Sequence, residues 1–226
     1  DTVRFTSLGD TTRLSALVRD SLSNSISAAS ITYASLAPTI ASVTSTGLVT
    51  AALGGTTRIA ATARGQSDTT VVLVAQVPAN VTIAGSDTVT FAALGDTTRL
   101  SATVRDARGS PIPAPSLTWT SSDTTIATVS DSGLVTARAL GEALVSAASG
   151  SAQDLALIRV TQAVSTLDLT PDSLELSAVG RGSAFSLTAR DRNGSLISGT
   201  LIITWTSRDT TVAAVSPTGF ATARAE

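Results

Sequence analysis

Residues 121–141 read SSDTTIATVSDSGLVTARALG. A near-copy, ASLAPTIASVTSTGLVTAALG, stands upstream at 34–54, and a second, TSRDTTVAAVSPTGFATARAE, downstream at 206–226. Each holds a short apolar-polar alternation, a Ser/Thr/Pro-rich stretch ending in Gly, and a second alternation. That is the pattern of two short strands joined by a turn.

The repetition extends outward. DTVRFTSLGDTTRLSALVRD at 1–20 recurs as DTVTFAALGDTTRLSATVRD at 87–106. Tyr33, Trp119 and Trp205 stand 86 residues apart, as do Gly47, Gly133 and Gly219. A period of 86 exceeds the 20 to 50 residues of a solenoid repeat and suits an independent domain. The spacing divides the chain into domains at 1–78, 79–163 and 164–226, the first with a missing or short opening strand and the third without the counterparts of Gly141–Val160. The third copy is therefore expected to be completed by further residues of the chain or by a partner strand.

Within a copy the strand signal is clear. LSATVRD at 100–106 alternates Leu100, Ala102 and Val104 with Ser101, Thr103 and Arg105, one face buried and one wet. LTWTS, TIATVS, GLVTARA, EALVSAAS and DLALIRV follow, bounded by Gly, Asp, Ser and Pro. About seven short strands per copy with no helical periodicity predict an all-β fold of tandem Ig-like sandwiches, with Trp119 between the sheets. Tyr33 takes that place in the first copy, its hydroxyl reaching the edge. A membrane barrel also alternates, but the chain lacks the aromatic girdles of one. Residues 75–82 (AQVPANVT) and 160–167 (VTQAVSTL) are the candidate linkers, short and not Gly-rich. Stiff linkers and strands of 7 or 8 residues predict an elongated rod of about 75 Å or more.

Composition excludes much chemistry. All fifteen basic residues are Arg, and the chain has no His, Cys or Met. That removes Ser-His-Asp and Cys-His nucleophiles, Cys/His zinc sites, disulfides, Schiff-base lysines and the Walker lysine. The formal net charge is −2 and charged residues are 14% of the chain, without the basic face of a nucleic-acid binder. No apolar run reaches the 18 or so residues of a membrane helix. No catalytic, cofactor-binding or metal site is assigned.

The order G-D-x-x-x-L-x-A-x-V (Gly95, Asp96, Leu100, Ala102, Val104), then Trp119, Ser121, Asp123, Ile126, Ala127 and Val129, then Gly133–Ala137 and Gly141, resembles the bacterial immunoglobulin-like domain of group 2. Trp205, Asp209, Val212, Ala213, Val215 and Gly219 repeat it. The first copy departs with Tyr33 and Ala37-Pro38, the third with Gly180-Arg181-Gly182. The resemblance implies a structural and binding module of adhesins, other extracytoplasmic surface proteins and virion proteins, and brings no catalytic residues.

Several residues invite a functional reading and are weighed against a plain one. Asp123, Asp131 and Asp209 offer hard-cation oxygens, but a calcium site needs several converging acids, so they are expected to be turn residues. The Arg-Asp pairs 19–20, 105–106 and 190–191 recur with the fold and are expected to be strand-end and turn chemistry. Asn80-Val81-Thr82 and Asn193-Gly194-Ser195 match the glycosylation triplet by chance. Gly180-Arg181-Gly182 opens no helix and is no phosphate loop. Asp-only glycoside hydrolysis is the one catalysis left open, and no acidic pair stands out for it.

The expectation is a non-enzymatic, extracytoplasmic, bacterial spacer or adhesin-like stalk that meets other proteins or cell-surface components. The alternative is an accessory subunit docking on a larger envelope, membrane-protein or virion assembly.

Overall fold

A computed structural model describes residues 1–27 and 29–225. Its regular structure is β throughout the described residues, as the abundance of Val, Ile and Thr favours. The first repeat carries β1 (Thr2–Phe5), β2 (Thr11–Arg13), β3 (Thr32–Ser35), β4 (Ala41–Val43), β5 (Leu48–Ala51), β6 (Gly55–Ala63) and β7 (Gln66–Val74). The second carries β8 (Asn80–Ile83), β9 (Thr88–Phe91), β10 (Thr97–Arg99), β11 (Ala102–Arg105), β12 (Thr118–Ser121), β13 (Ala127–Val129), β14 (Leu134–Ala137), β15 (Gly141–Ser149) and β16 (Ala152–Val160). The third carries β17 (Thr166–Thr170), β18 (Gly182–Ala184), β19 (Ser186–Arg190), β20 (Ala213–Val215) and β21 (Phe220–Ala223).

The chain packs as two compact units. One comprises Asp1–Asp87, Leu100–Thr120 and Ser146–Ala156; the other comprises Thr88–Arg99, Ser121–Val145 and Leu157–Glu226.

In the first unit, β1-β7-β6-β3 form one sheet and β2-β5-β4 another. Between them lie Phe5, Ala41, Val49, Ala51, Ile59, Val72 and Val74, flanked by Val3, Leu8, Leu14, Tyr33, Ile40 and Val43. These are the inward residues of alternating strands, so the pattern read from sequence is the core. Each fully buried Val or Ile contributes about 1.5–3 kcal/mol. Strand β6 turns into β7 through Arg64-Gly65, both at positive φ, the two-residue loop whose twist matches the strands it joins. Strand β1 runs parallel to β7, from Thr2↔Val71 to Phe5↔Val74. Strand β8 pairs antiparallel with β11, and Trp119 is buried as expected.

In the second unit, β10-β14-β13 repeat the arrangement of β2-β5-β4, and β18-β21-β20 repeat it again. Thr97↔Thr136 and Arg99↔Leu134 match Thr11↔Thr50 and Arg13↔Leu48. Strand β9 lies parallel to β16, and β17 pairs antiparallel with β19.

The opening motif resolves into a recurrent turn. Leu48, Leu134 and Phe220 donate their backbone N–H groups to Thr44 Oγ1, Ser130 Oγ and Ser216 Oγ, at 3.0–3.1 Å. Gly47, Gly133 and Gly219 close it at φ of 77° to 79°, where a side chain is strained. At Gly219 a Cβ would stand 2.7 Å from the Trp205 ring, so the turn and the aromatic are fitted together.

Two expectations need correction. Residues 80–82 and 166–167, read as linker, are the starts of β8 and β17; the segments without strand are 75–79 and 161–165. The aromatic of the third repeat does not follow that of the second. Residues 201–207 form no strand, and Trp205 is half-buried, stacked on Phe185 with centroids 6.2 Å apart. In the second repeat Trp119 lies within strand β12 and is buried.

Candidate functional site

The side chains with the most polar partners sit where one repeat meets the next. The first such junction lies wholly within the first unit and the second wholly within the other.

At the first junction the loop after β11 is folded around Asp106, which is 2% exposed. Its Oδ1 accepts from Arg108 N at 3.0 Å and Ser110 N at 2.9 Å. Its Oδ2 accepts from Leu8 N in the first repeat and from Gln76 Nε2 in the linker, both at 2.9 Å. Burial opposes ionisation of this carboxyl, but the Gln76 bond and the backbone bonds from Leu8, Ser110 and Arg108 outweigh it. The group titrates below the ordinary aspartate value. Gln76 Nε2 also reaches Pro111 O at 3.2 Å. Arg105, the partner in the Arg-Asp pair, closes the same loop by donating from Nη1 to Gly109 O at 2.7 Å.

The second junction repeats this atom for atom. Asp191 accepts from Asn193 N and Ser195 N through Oδ1 and from Leu94 N and Gln162 Nε2 through Oδ2, all at 2.9–3.0 Å. The Gln162 bond is the foremost cause of its lowered pKa. Arg190 Nη1 donates to Gly194 O.

The linkers are themselves held by backbone bonds. Val77 N donates to Thr6 O and Ala79 N to Arg105 O; Ala163 N donates to Ala92 O and Ser165 N to Arg190 O. The short segments between repeats are thus tied to both neighbours, each bond worth about 0.5–1.5 kcal/mol net.

An ion pair stands beside each clamp. Arg108 Nε meets Asp10 Oδ1 at 2.6 Å. Arg192 meets Asp96 through Nη2 at 2.6 Å and Nε at 3.1 Å, and Asn193 Nδ2 adds 2.9 Å bonds to Asp96 Oδ1 and Leu94 O. The Arg108 hydrogen bond leads the lowering of the Asp10 pKa. At Asp96 burial works against ionisation, and Arg192 and Asn193 overcome it.

The first copy of the Arg-Asp pair bonds within its own loop among the described residues. Asp20 is exposed and accepts only from its own loop, Leu22 N, Asn24 N and Asn24 Nδ2, while Arg19 donates to Ser23 O.

The remaining candidates stay apart from one another. Asp123 accepts from Thr125 N and Oγ1, and Asp209 from Thr211 N and Oγ1. These are Asx-type turns, and the threonine hydroxyl bonds hold both carboxyls below their ordinary value. Asp131 lies in the exposed turn after β13. Among the described residues no three acids gather as a metal-binding group. Gly180 sits in a turn ahead of β18, its N–H donating to Ala223 O. Asn80 lies in β8, and Asn193 is committed to the second junction.

The sequence profile described as bacterial Ig-like domain (group 2) matches residues 6–74 and 77–158. The chain belongs to this family. Over 111 residues this group 2 Ig-like chain is 35% identical to ice-binding protein 1 of Shewanella frigidimarina (strain NCIMB 400), a match spanning 49% of this chain and 12% of that protein. Two solved structures are similar. Domains 4 and 5 of the S-layer protein SbsC are 23% identical over 66% of this chain and 81% of theirs, with a TM-score of 0.35. The Escherichia coli adhesin FdeC is 19% identical over 85% of this chain and 72% of its own, with a TM-score of 0.41. No helix among the described residues is long and apolar enough to cross a membrane.

Sequence reading saw the Arg-Asp pairs as local turn chemistry and passed over Gln76 and Gln162 as linker. The available signal was the recurrence of a glutamine at the same place in two linkers that otherwise differ, AQVPANVT and VTQAVSTL.

Proposed function

We propose that this group 2 Ig-like chain is a non-enzymatic, extracytoplasmic spacer, a stalk whose repeats are fixed in series and which carries a binding function at a distance from its point of attachment. The repeats are taken as domains 1–78, 79–163 and 164–226. The observation that carries the reading is the recurrence of one Gln-Asp clamp at both junctions, with the same four donors on Asp106 and Asp191. A hinge between freely moving domains has no use for a buried, fully bonded carboxylate. Family membership supports a bacterial surface setting, and a match to 12% of a much longer protein suits a module that larger proteins carry in numbers. The partners are other proteins or cell-surface components.

Small-angle scattering of the chain, alone and as Gln76→Ala/Gln162→Ala, tests the reading. A maximum dimension of about 75 Å or more, as strand length requires, with added flexibility in the double variant, is the expected result. A compact particle, or a double variant indistinguishable from the parent, would refute it. Recovery from the native source in fixed stoichiometry with other polypeptides would instead favour an accessory subunit of a larger assembly.

A further inference from the structure

The chain has three asparagines, Asn24, Asn80 and Asn193, and of these only Asn193 is followed by glycine, Gly194. The pairing matters chemically. Glycine has no Cβ to shield its backbone nitrogen and moves freely in φ, so that nitrogen can come down on the side-chain carbonyl carbon of the asparagine before it. Asn24 precedes Ser25, and Asn80 precedes Val81, whose branched side chain crowds the approach.

The structure surrounds Asn193-Gly194 with restraints drawn from both repeats of the second junction. Asn193 Nδ2 donates to Leu94 O and Asp96 Oδ1, both at 2.9 Å, so its side chain is held by the second repeat. The backbone nitrogens are committed to Asp191: Asn193 N donates to its Oδ1 and Gly194 N to its O, both at 3.0 Å. Residues 192–194 are nevertheless exposed, and a Cβ at Gly194 would meet nothing within 4 Å, so water and hydroxide reach the turn. The first junction has the same turn without the amide. There Gly109 N donates to Asp106 O at 2.9 Å, and Arg108 stands ahead of the glycine.

We infer that Asn193-Gly194 is a guarded deamidation site: closure of the second junction keeps it intact, and its conversion leaves that junction loose. When the junction opens, Gly194 N gives its proton to hydroxide and attacks Asn193 Cγ. The new C–N bond closes a succinimide ring. The Cγ–Nδ2 bond breaks, and the leaving nitrogen takes a proton from water, departs as ammonia and returns the hydroxide. Water then opens the ring at either carbonyl, leaving aspartate or isoaspartate at 193.

Either product turns a donor into an acceptor. A carboxylate at 193 faces Leu94 O and Asp96 Oδ1, neither of which offers it a proton, and it competes with Asp96 for Arg192, now 2.6 Å from Asp96. Like charges set this close repel. Isoaspartate also adds a methylene to the main chain inside the turn, so the nitrogens of 193 and 194 no longer fall together on Asp191. The first junction, with Arg108-Gly109, has no such reaction, and the two junctions age unequally.

The test incubates the whole 226-residue chain in mildly alkaline buffer, folded and in urea, as the parent and as Gln162→Ala, which loosens the junction without touching Asn193. Peptide mass mapping follows the gain of acid at 193 against Asn24 and Asn80. In urea Asn193 should convert ahead of both. In the folded parent it should convert at about a tenth of that rate or less, and Gln162→Ala should restore part of the difference. A second measurement compares amide exchange at Leu94 and Ala163 in Asn193→Asp and Asn193→Ala. The aspartate variant should exchange faster, and added salt should narrow the gap because charge causes it. Asn193 converting no faster than Asn24 and Asn80 in urea overturns the site. Equal conversion of the folded and urea-treated parent, or of the folded parent and Gln162→Ala, overturns the guard. Exchange no faster in Asn193→Asp than in Asn193→Ala overturns the loosening. Conversion is read from mass, so a compact particle in scattering leaves this result standing.

Discussion

Gln76 donates its side-chain amide to Asp106 across 2.9 Å, joining a linker residue to the loop after β11 in the repeat that follows. The bond is local to neither residue's own strand, and it makes the junction a packed part of the protein.

Removing the carboxylate should therefore be costly. Asp106→Ala leaves Leu8 N, Arg108 N, Ser110 N and the Gln76 amide without their acceptor, and an expected loss of about 3 kcal/mol follows from stranding buried donors. Asp20→Ala, on an exposed aspartate bonded only within its loop, should lose about 1 kcal/mol or less. Urea unfolding of the two variants side by side checks the difference.

The same groups set an acid limit. Asp10, Asp96, Asp106 and Asp191 all have folded-state pKa values lowered below the ordinary 3.8. A lowered folded value means the stabilisation is fully present above the unfolded pKa of about 3.9 and is lost as pH falls through the folded values. Urea midpoints should hold steady from pH 7 to about 5 and drop below about 4. Asp106→Asn should start lower and show a shallower fall; an equal fall would remove this aspartate from the cause.

The turn glycines separate strain from crowding. Gly47 and Gly65 share a φ of 79°, but a Cβ at Gly47 would meet Leu14 O at 2.6 Å, whereas at Gly65 it would meet nothing within 4 Å. Gly65→Ala should cost about 1 kcal/mol, and Gly47→Ala about 2–3 kcal/mol. Thermal midpoints in matched buffer measure both.

The two tryptophans should differ as well. Trp119 is buried and Trp205 half-buried. Trp119→Ala is expected to cost about 3–5 kcal/mol and Trp205→Ala about 1–2 kcal/mol. Fluorescence of the single-tryptophan variants should place the emission of Trp119 to the blue of Trp205.

The sandwich was legible because alternation and turn residues are local properties: Leu100, Ala102 and Val104 announce a buried face whatever lies opposite. The clamps were not, because their character is supplied from far along the chain. Asp20 and Asp106 share the sequence VRD, yet one is exposed and the other is buried and accepts a bond from Leu8 N, 98 residues away.

The parallel pairing of β1 with β7 governs how the first repeat responds to tension. Pulling on the chain from both sides draws Thr2 and Val74 in opposite directions along two strands that point the same way. The load falls along the strands, so the ladder from Thr2↔Val71 to Phe5↔Val74 must slide as a whole, whereas an antiparallel pair pulled from its open end parts one bond at a time. Strands β9 and β16 place the second repeat under the same rule. The first and second repeats are each latched by one parallel strand pair, and resist being drawn out from the position where the force enters.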